Sequence, residues 1–553
     1  MMPRRVTVLA FVFLLRVSAV ASARQDNKDP LDTALEAIRP EAIRAHMRFL
    51  ADDLLEGRGT GARGYELAAR YVAAHFESLG LEPAGPGGSY YQPVPLREIR
   101  LLPEESSLVL VRGGKSEPLA LQKDFLMFGP ALHTETRVEA PVVFAGYGVT
   151  ATERGYDDYT GIDVRGKIVA LLSGAPPSFP SAERAHFSSR VLKAENAARR
   201  GAVGMLFLWT EKDEQVFPWA AAARMSRQPS LRWLSPEGTP NDVQPELRGG
   251  AWLSREVSGS LLSGAPKSFG EALAAADRSE PQAFPLPVSA RIRMSGRHAP
   301  LESPNVLAVL RGSDPRLRDE YLVYTAHLDH EGIGEPRDGD SIYNGALDNA
   351  SGVAQMLEVA RAFTRLAARP RRSVMFIAVT AEEHGLLGSD YFARYPTVPV
   401  GQIVANVNLD GGLILYLPAD VVAHGAEHST LGGVVQSAAT RLGLELSPDP
   451  APEQTFFIRS DQYSFVKQGI PAVFVFPGMR SADPSVQGAS VFQNYLDARY
   501  HTPQDDMRQT FSFEAGATGA RLNFLIGYEV AQQEERPHWN EDDFFGRTFA
   551  PRR

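Results

Sequence analysis

Beyond residue 305 the chain alternates short apolar runs with longer amphipathic stretches. The runs at 321–326, 373–380, 403–409 and 472–476 are nearly free of polar residues, which predicts strands buried on both faces. In the first stretch between them, Val353, Met356, Leu357, Ala360 and Phe363 share one helical face. Helices are predicted at 351–366, 385–394, 429–442 and 513–530. Strands alternating with helices in this way predict an α/β fold: a mostly parallel central sheet with helices on both faces.

Residues 30–100 read as mainly helical. Leu67, Tyr71, Val72, Phe76 and Leu79 recur at helical spacing, and Gly80 supplies a stop. Near residue 100 the texture changes to short β-rich runs separated by turn clusters, as at 108–111, 142–144 and 167–172. One helix, 190–199, leads into an apolar strand at 203–208. The expected organisation is therefore 30–100 as the first part of an α/β domain, 101–295 as an inserted β-rich domain, 296–535 as the main part, and 536–553 as a tail. The tail is polar, then aromatic at Trp539, Phe544 and Phe545, and is expected to lie against the α/β domain.

Composition narrows the chemistry. At 553 residues the chain is too long for one compact core. The formal net charge of -9 gives no basic field for nucleic acid or anionic membrane. There is no cysteine, which removes disulfides, thiolate ligands and a thiol nucleophile. Any metal must then be held by His, Asp and Glu. Arg4 and Arg5, an apolar run at 6–15 and Ala21-Ser22-Ala23 form a signal peptide over 1–23. That run is too short to span a bilayer, and no later transmembrane stretch follows. The protein is expected to be exported, to the periplasm or the medium, and free of the membrane after signal removal.

Several common catalytic motifs are absent, among them His-Glu-x-x-His and Gly-x-Ser-x-Gly. Gly161-Ile-Asp-Val-Arg-Gly166-Lys167 nearly matches a phosphate loop. Ile168 stands where Ser or Thr is needed, and a predicted strand follows where the mechanism needs a helix. The informative residues stand at strand ends, where open α/β sheets bind ligands. They are His327-Leu328-Asp329-His330, Glu382-Glu383 and Asp410, with Asp348-Asn349 on a loop entering a helix and Tyr500-His501 far downstream. Gathering so many carboxylates costs several kcal/mol unless a cation joins them, to the order of about one or two divalent ions.

His-x-Asp-His at 327–330, Leu-Asp-Asn-Ala-Ser-Gly at 347–352, Ala-Glu-Glu-x-Gly-Leu-Leu-Gly-Ser at 381–389, Asn-Leu-Asp at 408–410 and Tyr-His-Thr at 500–502 resemble, in this order, the di-zinc aminopeptidases. That group also contains glutamate carboxypeptidase II and the transferrin receptor. The resemblance implies a zinc exopeptidase fold over residues 30–110 and 295–535. It implies two zinc ions, with cobalt or manganese as substitutes. Asp348 would bridge them, His327 and Asp410 would complete one site, and Glu383 and His501 the other. Glu382 would be the general base, Tyr500 an oxyanion donor, and Asp329 an outer residue orienting His327. A cis peptide is expected at Asp348-Asn349. Residues 101–295, with Asp163-Val164-Arg165-Gly166-Lys167-Ile168-Val169, resemble a protease-associated domain. The implied substrate is a peptide with a free N-terminus. A carboxypeptidase stays open through Arg459, a cationic residue in a plausible substrate loop. A one-zinc glutaminyl-cyclase-like acyltransferase and a non-catalytic receptor are disfavoured by the full ligand set and Glu382. His330 and His384 flank these residues with no assigned metal role. The residues fix no oligomeric state.

Overall fold

The computed structural model describes residues 30–454 and 456–551. The signal peptide expected over 1–23 lies outside the described residues, as do the last two residues of the tail. Among the described residues no helix is long and apolar enough to cross a membrane.

The central sheet is parallel at its middle. Tyr321–His327 lies between Ser373–Val379 and Ile403–Asn408, and Ala472–Pro477 follows, all parallel. Antiparallel strands flank this group: Phe284–Leu310, Tyr91–Leu101 and Ser230–Trp233 on one side, Asp420–His424 on the other. The two central strands, Tyr321–His327 and Ser373–Val379, alternate between two cores. Leu322, Tyr324, Ala326, Val374, Phe376 and Ala378 face one, while Tyr321, Val323, Met375, Ile377 and Val379 face the other. This two-sided burial explains the unbroken apolar runs in the sequence. Helices Pro40–Leu50, Arg63–Ser78, Gly352–Thr364, Leu431–Arg441 and Phe513–Gln532 contribute to the first core. Helices Leu387–Arg394, Gln462–Val466 and Phe544–Phe549 contribute to the second. The last of these belongs to the aromatic tail.

A second sheet is built from Ser107–Arg112, Glu135–Phe144, Ile168–Leu172, Gly204–Leu208 and Gly250–Leu253. One strand, Phe284–Leu310, serves both sheets. Its first half pairs with Glu135–Phe144 and its second half with Tyr91–Leu101. The strand continues without a break across position 295, so the two units share a continuous backbone ladder.

The 91–101 segment departs from the helical texture expected for residues 30–100. Gln92, Val94 and Leu96 are buried at every second position, the period of a strand. Pro93 and Pro95 would also break a helix interior.

Candidate active site

Register brings the candidate residues together. His327 pairs with Val379 and Thr325 with Asn408, so the three middle strands end within two residues of one another. Chain leaving those ends carries Asp329, Glu382, Glu383 and Asp410 onto one rim. Asp348 arrives from the loop before helix Gly352–Thr364, and His501 from the loop after helix Gly488–Ala498. The Asp348-Asn349 peptide is cis.

Asp348 sits at the centre. Its Oδ1 is 3.1 Å from His327 Nε2, and its Oδ2 is 3.2 Å from His501 Nε2. Asp410 Oδ1 lies 3.3 Å from His327 Nε2, and Glu383 Oε2 lies 3.2 Å from His501 Nε2. Two imidazole–carboxylate groups thus meet on one shared carboxylate. Tyr500 stacks on His501 with ring centroids 3.9 Å apart.

The surroundings hold these groups in place. Asp505 accepts from the backbone N–H groups of Leu347 and Asp348, each at 3.0 Å. Asn349 donates to the Leu409 carbonyl and accepts from Gly411 N–H, tying the Asp348 loop to the Asp410 loop. Arg58 is fully buried and donates to the carbonyls of Leu50, Leu328, Asn344 and Gly345. Ser460 donates to Asp410 Oδ2 at 2.6 Å. His327 Nδ1 faces the backbone carbonyl of Asp329 at 3.1 Å, which leaves Nε2 for the cluster. The Asp329 carboxylate does something else: it accepts from the N–H groups of Glu382 and Glu383 and from Thr60.

Charge in this cluster is unbalanced. Burial pushes Glu383 up to about 8, with Asp348 adding to the shift and His501 opposing it. Burial also holds Glu382 well above the usual carboxylate range, with Glu383 and Asp410 adding and His327 opposing. Burial alone would lower His501, but Glu383 and Asp348 lift it to about 10. Burial raises the Tyr500 hydroxyl, and Asp348 and Glu383 raise it further, so it stays a donor. Burial pushes Asp461 to about 7, and neither of its oxygens has a hydrogen-bond partner among the described residues. The cluster therefore takes up protons to offset its own charge. A divalent cation offers the same compensation, and imidazoles with carboxylates are donors that zinc accepts. His327, Asp348 and Glu383 each bring a ligand atom within 4.8 Å of the others, as do Glu331, Glu383 and His501. The donor set fits such ions.

Arg58, Asp505, Ser460, Glu331 and His330 escaped the sequence reading as parts of this site. Arg58 and Asp505 act on backbone atoms of distant segments, which leaves no local motif. Glu331 and His330 were visible only as neighbours of Asp329. His330 is 1 % exposed and its Nδ1 lies 2.5 Å from Glu383 Oε1. Burial pushes it down to about 4, Asp348 opposing, so the ring is neutral. Arg459 stacks on Phe456 and its Nη1 reaches the Gln454 carbonyl. His384 is exposed on the rim.

Residues 305–521 match the sequence profile of peptidase family M28. A probable zinc metalloprotease of Pyrenophora tritici-repentis is 28% identical over 270 residues, covering 43% of this chain and 59% of that protein. A probable leucine aminopeptidase 2 of Aspergillus fumigatus is 28% identical over 236 residues, 39% of this chain and 42% of that protein. The chain thus spans about half the length of these curated relatives. Among solved structures, an aminopeptidase from Aneurinibacillus sp. strain AM-1 superposes with a TM-score of 0.52. It is 20% identical, and the match covers 92% of this chain and 97% of that one, a likeness of fold.

Proposed function

We propose that this chain, whose residues 305–521 match peptidase family M28, is a two-zinc aminopeptidase acting on peptides with a free N-terminus. The observation that carries the reading is Asp348, whose two oxygens each face a different imidazole at 3.1 and 3.2 Å. His327 and Asp410 would hold one ion, Glu383 and His501 the other, and Asp348 both. A pair of divalent ions at such a site polarises a carbonyl and lowers the pKa of a shared water.

The chain's own residues supply the rest. Glu382 has no ligand role in this assignment, so its carboxylate is free to take a proton from the attacking water. It then hands that proton to the departing amine. Tyr500 donates to the carbonyl oxygen as that oxygen becomes negative. Asp329 fixes the Glu382 and Glu383 backbone, from which the Glu383 carboxylate reaches His330 and His501. We take residues 101–295 as the protease-associated domain, which frames the cleft and limits substrate size.

One observation favours a second reading, a carboxypeptidase. Arg459 lies close enough to Tyr500 to lower the pKa of its hydroxyl, against the burial and carboxylates that raise it. Such a guanidinium group suits a substrate carboxylate. A panel of aminoacyl, N-acetylated and C-terminally amidated peptides separates the two. Aminopeptidase action requires that N-acetylation abolish cleavage while amidation spares it. The opposite pattern establishes the second reading and sinks the first.

A further inference from the structure

We propose that His330 is a positioning residue that makes Glu383 a one-oxygen donor to the ion it shares with His501. The inference rests on the two-ion reading above and concerns a residue that reading leaves without a role.

Glu383 is held from both ends. Oε1 meets His330 Nδ1 at 2.5 Å, and Oε2 points to His501 Nε2 at 3.2 Å. With an ion on Oε2, Glu383 is ionised and its Oε1 only accepts, so Nδ1 then carries the ring proton. The other ring nitrogen, Nε2, is buried without a partner among the described residues and needs no proton. The imidazole is thereby fixed in one tautomer. The Nδ1–H commits Oε1, and only Oε2 remains for a cation.

The ring itself cannot swing away. Gly345 packs against it so closely that a Cβ there would lie 2.6 Å from His330 Cδ2. Gly345 also has φ of +58°, which suits glycine. The His330 backbone N–H donates to the Arg58 carbonyl at 3.3 Å, and Arg58 in turn grips the Gly345 carbonyl at 2.9 Å. His330 is therefore built into the same scaffold as the Asp348 loop. Among the described residues, no such donor meets the carboxylate of neighbouring Glu382. That asymmetry separates two adjacent glutamates, one tied down for an ion and one free to move a proton.

The test is a metal titration of the metal-free protein, followed by cobalt absorption bands and zinc calorimetry. The wild type takes two ions in this scheme. His330→Ala weakens one of the two steps by about 10–100-fold and leaves the other in place. His330→Asn restores the weakened step, because its amide nitrogen occupies the position of Nδ1. His330→Gln, whose amide reaches the Nε2 position instead, does not. Should His330→Ala fail to fold, the Asn and Gln pair decides the matter. Two wild-type steps that stay unchanged in His330→Ala overturn the inference alone. So do Asn and Gln variants that bind alike. A wild type that takes up fewer than two ions overturns the two-ion reading, and the inference falls with it.

Discussion

Two buried charge clusters in this molecule are treated in opposite ways. In the second sheet unit, Asp158 accepts from Val149 N–H at 3.1 Å, from Tyr156 at 2.9 Å and from Gln282 N–H at 3.3 Å. Nearby Lys193 donates to the Leu172 and Gly174 carbonyls at 2.9 and 2.5 Å. One anion and one cation are buried there, each with its hydrogen bonds made. At the rim of the central sheet, Asp348, Glu382, Glu383 and Asp410 crowd around two histidines, and Asp461 behind them has no hydrogen-bond partner among the described residues. The first arrangement is what a stable fold does with unavoidable buried charge. The second is costly for folding and is explained by what it binds.

The contrast is broken most severely at Glu382. Glu382→Gln keeps the shape and removes the proton acceptor. Peptide hydrolysis should fall by about 10²–10⁴-fold in kcat, with zinc content unchanged by elemental analysis. Full activity in the variant would remove Glu382 as the base. A smaller effect follows from the charge imbalance itself. Chelating the ions should lower the thermal midpoint of the wild type. Each site filled at a hundredfold excess over its Kd contributes about 2.7 kcal/mol. Asp348→Asn takes away the shared carboxylate, so its midpoint should be nearly indifferent to chelator. Calorimetric scans with and without chelator check both statements, and a zinc-loaded wild type insensitive to chelation would contradict them.

The same contrast shows what the sequence disclosed. The four middle strands and the helix Phe513–Gln532 lie within two residues of where apolar runs and helical spacing put them. Their signals are local: burial on both faces, or one apolar stripe. The long strand Phe284–Leu310 was not legible as one element, because its inward face changes from one sheet's core to the other's along its length. At the site, strand-end motifs pointed to His327, Asp348, Glu383, Asp410 and His501, which the structure gathers within contact of one another. Arg58 lay hidden, since its meaning depends on carbonyls from residues 50, 328, 344 and 345. His330 lay hidden because a histidine beside a motif looks the same in sequence whether it faces solvent or a carboxylate.

The smallest effect concerns the balanced cluster, and it sharpens the comparison from the other side. Burial pushes Lys193 down to about 7 from an ordinary 10.5, with Asp158 opposing. The unfolded chain therefore holds that proton more readily than the folded one. Stability contributed by this group is complete above the ordinary lysine value and is lost as pH falls towards about 7. Within that window the slope is about 1.4 kcal/mol per pH unit. Asp158, raised to about 6 by burial, is already ionised there and adds no slope of its own. Lys193→Met removes the titrating group. Subtracting its unfolding free energy from that of the wild type cancels the groups both proteins share. The difference should climb between pH 7 and pH 9 by about 1.4 kcal/mol per unit, read from denaturant unfolding. Parallel curves would mean that Lys193 titrates as an ordinary amine and that its cluster carries no buried-charge cost. Peptide hydrolysis per folded molecule should not change in the variant, because Lys193 takes no part in the cluster at the rim of the central sheet.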